Sequence, residues 1–164
     1  MTTSSPILGA IFSELVDGAN DPRGAFVLNS GDVGLLQSLD KLSAEAASHA
    51  SHGGATIAAH AEHLRYGLSL LNQWAREGGN PFASARWEEA WKTSVVTDER
   101  WAAIRAGLRE QAVQWREVLK QPREVADVEM SGMIGSVAHL AYHLGAMRQI
   151  DKAVRGPRDE ERRH

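Results

Sequence analysis

The chain has 164 residues, with 18 Lys and Arg against 21 Asp and Glu for a formal net charge of −3, and no cysteine. That length supports one domain whose core needs neither disulfides nor a structural metal, and the missing thiols exclude disulfide staples, thiolate ligands and a cysteine nucleophile. Interleaved charges leave no basic stripe for phosphate backbones, no run approaches the roughly 20 apolar residues that span a bilayer, and the start lacks a basic secretory segment, so a cytoplasmic protein without nucleic-acid or membrane partners is expected.

Residues 6–16 place Leu8, Ile11, Phe12 and Leu15 on one side of a first helix, with Pro6 suited to its opening turn and Gly18 at its end. Residues 17–34 are too dense in Gly, Asn, Asp and Pro for a helix and read as an ordered loop. Asp32 can cap a helix reaching about Ala47, with Val33, Leu36, Leu39 and Leu42 or Ser43 turned inward. His49, His52, Gly53 and Gly54 break it. Over residues 56–76, Ile57, Ala61, Leu64, Leu68, Leu71 and Ala75 recur at alternating four- and three-residue steps, the pattern of a bundle seam.

Gly78, Gly79, Asn80 and Pro81 stop that helix and open a connection in which residues 84–91 form a short helix. Thr97 or Asp98 begins the next long helix, with a seam at Trp101, Ile104, Leu108, Gln111 or Ala112, Trp115 and Leu119, and Pro122 lies just past its end. Ser131 caps a last helix to about Val154, ahead of a charged tail at residues 155–164. No strand alternation or internal repeat is evident. The predicted fold class is all-α: an antiparallel four-helix bundle, one domain over residues 1–164 with its core at about 32–152, and the N-terminal helix packed alongside as an additional element.

Four of the seven histidines fall in two helical segments, as His60 and His63 and as His139 and His143. An α-helix turns once in about 3.6 residues, so His139 and His143 stack on one face and can grip one metal ion. Their neighbours on that face include Gly132, Gly135, Ser136 and Ala146, small residues that leave room for a ligand, while Met133, Leu140 and Leu144 turn toward core. A lone His-x-x-x-His pair is more often a pair of hydrogen-bonded helix residues than a metal site. The small-residue face and the second histidine pair favour the metal. For a third ligand the helical wheel slightly prefers His60, near the centre of the apolar arc, over His63 at its edge.

His49 and His52 read as solvated loop residues and His164 as tail. Trp74, Trp101 and Trp115 occupy seam-like positions and read as core or interface. Trp87 and Trp91, one turn apart in the connection, read first as packing on a neighbouring helix and second as a cover over the bundle end. Glu62 points away from the seam, a poor ligand or base, and Arg148 reads as solvated or ion-paired.

Two motifs carry a resemblance. Thr56-Ile57 precedes His63 by seven residues, and His139, His143 and Gly145 form a late His-x-x-x-His-x-Gly pattern. Over roughly residues 32–150 the chain resembles the DinB-like superfamily, metal-binding four-helix bundles that include bacillithiol- and mycothiol-dependent transferases and the mycothiol-dependent maleylpyruvate isomerase. The resemblance implies a three-histidine site of His63, His139 and His143 holding a divalent ion, zinc or nickel, with His60 as a seam residue or a support behind a ligand. It implies transfer of a low-molecular-weight thiol to an electrophile, and a homodimer. Its alternative is a stress-response bundle that binds a metal or small ligand without turnover. The superfamily usually has an apolar residue at the position of His60, which keeps a four-histidine or swapped arrangement open. No catalytic side chain and no organic cofactor is assigned.

Overall fold

The computed structural model describes residues 2–20, 25–50, 53–151 and 154. The predicted loop in its 21–24 portion, His52 and the tail at 155–164 lie outside these residues. Among the described residues, no helix is long and apolar enough to cross a membrane.

The fold is all-α apart from one two-residue ladder, and its long helices are α1 (Pro6–Asp17), α4 (Ile57–Glu77), α6 (Asp98–Lys120) and α7 (Asp127–Ile150). Local chemistry sets their starts. Ser5, Thr56 and Thr97 each turn a side-chain oxygen to a backbone N–H of the first turn, and Pro6 opens α1 where no intrahelical N–H is needed. At the other end, α4 stops where Gly78 takes φ +70, a left-handed conformation that glycine adopts without a Cβ clash.

Burial follows the periodicity most closely in α6, where Trp101, Ile104, Leu108, Ala112, Trp115 and Leu119 are all buried. Ile57, Ala61, Leu64 and Leu68 of α4 meet them, with Phe12 and Leu15 of α1 and Met133, Leu140 and Leu144 of α7 completing the core. The two deepest indoles keep their N–H groups bonded: Trp101 Nε1 donates to Leu42 O and Trp115 Nε1 to Ser136 Oγ, both at 2.8 Å. Burial therefore leaves neither donor stranded.

Several expectations change. Helix α1 packs against both α6 and α7, as α4 does, so the N-terminal helix is one of the four long members rather than an addition to them. The predicted helix over 32–47 is two short pieces, α2 (Leu35–Asp40) and α3 (Ala44–Ala47), because the Ser43 side chain caps a new start by accepting from Ala46 N. Asp32 is not a cap; its buried carboxylate meets Arg148 Nη1 at 3.1 Å and leaves the start of α2 to Gly34.

Helix α7 begins at Asp127 instead of Ser131, whose hydroxyl donates back to Asp127 O inside the helix, and it ends at Ile150, short of Val154. The short helix predicted over 84–91 is α5 (Trp87–Trp91), and a separate 3-10 turn (Pro81–Ser84) precedes it. Strands β1 (Thr2–Thr3) and β2 (Glu124–Val125) pair antiparallel, too short to leave an alternating pattern in sequence.

Helix directions also differ from the prediction. Glu62 pairs with Arg100, the Gly107 backbone lies against Arg65, and Asn72 Nδ2 donates to Gln111, so residue numbers rise together and α4 runs parallel to α6. Between α4 and α7 the order reverses: His63 meets His139, while Trp74 meets Gly132. A parallel neighbour demands a connection that travels back along the helix, and the segment from Gly78 to Thr97 supplies it.

The loop after α1 is held by the buried Glu14, whose carboxylate accepts the N–H groups of Phe26, Val27 and Leu28 at 2.6–2.9 Å. Three donors on one carboxylate replace the water it loses on burial.

Candidate metal centre

The antiparallel contact of α4 with α7 brings together the histidines that sequence spacing singled out. His63 Nε2 lies 3.1 Å from His139 Nε2, and His143 Nε2 lies 2.9 Å from the same atom. His63 and His143 are buried, and His139 is the most open of the three. His60 faces the other side of His143, with 2.8 Å between their Nδ1 atoms. His49 is exposed and stands apart.

Three converging Nε2 atoms pose a hydrogen-bonding conflict. A neutral imidazole nitrogen offers either one N–H or one in-plane lone pair. His139 Nε2 can therefore satisfy His63 or His143, not both. Ring protonation, which would add donors, is opposed by burial, which pushes His143 down to about 3 and His63 down to about 4, with neighbouring histidine charges adding to the effect. Burial lowers His60 and His139 as well. At neutral pH the cluster is a set of lone-pair donors.

A single cation that accepts three lone pairs resolves the conflict, and the geometry fits one. Nitrogens about 2.0–2.1 Å from a tetrahedral ion stand roughly 3.3 Å apart. The two close separations are within a few tenths of an ångström of that value, and all three ligand atoms lie within 4.8 Å of one another. Neutral nitrogen donors without thiolates suit a borderline transition-metal ion and leave its identity open among several.

The outer contacts divide the labour. With Nε2 of His143 turned to the centre, its Nδ1–H donates to His60 Nδ1, which fixes the tautomer and the ring direction. His63 has no such support, because its Nδ1 is buried without a hydrogen-bond partner. Its ring is held by stacking instead: Trp91 lies parallel at 4.5 Å and 25°, and Trp87 lies at 5.4 Å. The indoles of α5 pack on α4, the first of the two roles read for them, with Trp87 against Gly67 and Tyr66, and the same packing sets both rings against the histidine cluster. Their i, i+4 spacing was the available signal.

Glu62 is buried, contrary to its expected outward position, yet it is not part of the cluster. Arg65 grips both its oxygens at 2.8 Å and Arg100 reaches it at 3.2 Å.

A half-open cavity of about 650 Å³ adjoins His139. Its floor on α7 is Gly132, Gly135 and Ser136, the small residues flanking the histidine row, and Leu68, Trp74 and Trp87 are among its walls. A Cβ at Gly135 would meet nothing within 4 Å, whereas one at Gly132 would lie 2.6 Å from Trp74. One glycine therefore keeps the cavity clear and the other lets an indole close in. Comparison with protein-family models, curated proteins and solved structures finds no match to this chain.

Proposed function

We propose that the chain is a DinB-like four-helix bundle that holds a divalent ion, zinc or nickel, at His63, His139 and His143 and transfers a low-molecular-weight thiol to an electrophilic substrate. The family likeness rests on the Thr56-Ile57 to His63 spacing and on His139, His143 and Gly145. The observation that carries the reading is the convergence of three Nε2 atoms at the end of a cavity. Three protein ligands beside open space match a catalytic site, since structural sites close with a fourth.

When bound, a divalent ion supplies Lewis acidity, favouring the deprotonated form of a thiol near neutral pH. The chain's own residues do the rest. The three imidazoles stay neutral and donate, His60 orients His143, and Trp87 and Trp91 screen the His63 side from water. In the transfer a carbon–sulfur bond forms, the leaving group departs with its electron pair, and the thiol proton goes to solvent or to that group. The chain has no cysteine, so the sulfur belongs to the co-substrate.

A second reading is a non-catalytic bundle of stress-response type that keeps a metal or small ligand, favoured by the indole cover over the histidines. Both readings include a twofold homodimer, for which exposed Ile134 and Tyr142 offer apolar surface. Elemental analysis of protein purified without a metal-affinity column tests the centre: about one ion per chain is expected, and a metal-free protein that also fails to take up zinc or nickel overturns it. Zinc-loaded protein that fails to accelerate thiol addition to 1-chloro-2,4-dinitrobenzene and other electrophiles leaves the binding reading. Sedimentation at micromolar concentration as one 17.9 kDa species removes the dimer.

A further inference from the structure

We infer that the cavity beside His139 receives the electrophilic partner of the reaction and selects an elongated, uncharged, predominantly apolar molecule; this deepens the thiol-transfer reading and rests on it. Shape gives the first argument. The cavity runs along α7 from Val128 to His139, and 11 residues of helix rise about 16 Å. Spread over that length, its volume of about 650 Å³ makes a narrow trough that suits a long molecule lying along the helix.

Chemistry gives the second. Leucines from α4 and α7 and the rings of Trp74, Phe82 and Trp87 form most of the wall, and among the described residues no Asp, Glu, Lys or Arg lines it. The polar side chains are Asn80, Ser136 and His139. Ser136 is already committed, since its hydroxyl accepts from Trp115 Nε1 and donates to Met133 O. A charged ligand would lose its hydration here and gain no counter-charge, and a sugar-bearing thiol would strand its hydroxyls. An apolar body loses nothing of that kind, and His139 at one end would bring its reactive terminus beside the metal centre.

The test is a matched pair of fluorescent ligands, N-phenyl-1-naphthylamine and 1-anilinonaphthalene-8-sulfonate, which share rings and differ by one sulfonate. Trp74 and Trp87 border the cavity, so energy transfer from tryptophan reports occupancy. The neutral compound should saturate one site per chain and bind at least tenfold more tightly than the anion. Gly135→Phe, which fills open space, should weaken it at least tenfold with helicity retained, while Gly145→Phe, equally unobstructed on the same helix but outside the cavity, should not.

Equal affinity for the two compounds, or undiminished binding by folded Gly135→Phe, overturns the inference; should that variant unfold, the wild-type comparison of the two compounds still decides it. Running the titration on zinc-loaded and chelator-treated protein separates the failures. Selective neutral binding in a chain that takes up no metal keeps the cavity assignment and sinks the thiol-transfer reading, whereas metal uptake without selective binding does the reverse.

Discussion

Helices α6 and α7 are nearly equal in length and lie in the same core, yet they are built for opposite ends. Helix α6 fills every seam position with a buried residue from Trp101 to Leu119, two of them tryptophans. Helix α7 buries Met133, Leu140 and Leu144 on one side and sets Gly132, Gly135, Ser136, His139 and His143 along another. Close packing supplies stability, and its local omission supplies a site. The lesson is a physical trade: a wall of glycine and imidazole forgoes hydrophobic burial and leaves open space beside it.

The comparison is tested most severely by removing a ligand. His63→Ala, His139→Ala or His143→Ala should lower zinc affinity by orders of magnitude in a competition titration while far-UV circular dichroism stays near wild type, because two imidazoles compete poorly with water and the core does not depend on the ion. Cooperative unfolding of such a variant at room temperature would make the centre structural. The mirror experiment on α6 is Leu108→Ala at a fully buried position. It should cost roughly 2–5 kcal/mol in urea denaturation and leave the zinc affinity of the folded protein near wild type.

Acid probes the histidine cluster between α4 and α7. In metal-free protein, His63 and His143 are depressed from 6.5 to about 4 and about 3, so the unfolded chain binds protons first. The contribution of the two neutral rings is full above pH 6.5 and is lost as pH drops toward 3–4. A double His63→Ala, His143→Ala variant should lose that slope, and an unchanged slope would show that the histidines are not held neutral by burial.

His60→Ala is milder, since it removes the partner of His143 Nδ1 and no ligand. A loss of roughly 10- to 100-fold in zinc affinity is expected. Abolished binding, with His63→Ala still competent, would mean that the third ligand had moved one helical turn. The smallest effect separates two glycines of α7. Gly135→Ala should stabilise by roughly 0.5–1 kcal/mol through helix propensity, and Gly132→Ala should destabilise because its Cβ meets Trp74. Equal effects would show that the face is not open at one glycine and closed at the other.

What could be read from residues alone was whatever depends on local periodicity. The seam of α6, the start of α4 at Thr56 and its stop at Gly78, and the stacking of His139 over His143 all follow from helix geometry and capping chemistry within a few residues. The family resemblance, against the wheel, pointed to His63, and the fold brings its Nε2 to 3.1 Å from His139 Nε2. His60 is instructive, because the wheel slightly preferred it as the third ligand; it is buried, but its Nδ1 lies 2.8 Å from Nδ1 of His143, away from the three Nε2 atoms.

Long-range pairings decided the remainder. The parallel course of α4 and α6 depends on where the segment from Gly78 to Thr97 leads the chain, which neither helix encodes in its own periodicity. Promotion of α1 into the set of four long helices depends on which apolar faces meet in three dimensions. The indoles of α5 over His63, the reach of Arg100 from α6 to Glu62 and the cavity lined by α4 and α7 join residues from different helices. A side chain's pattern along the chain states which face of its helix it occupies. What that face meets is set only when the helices pack.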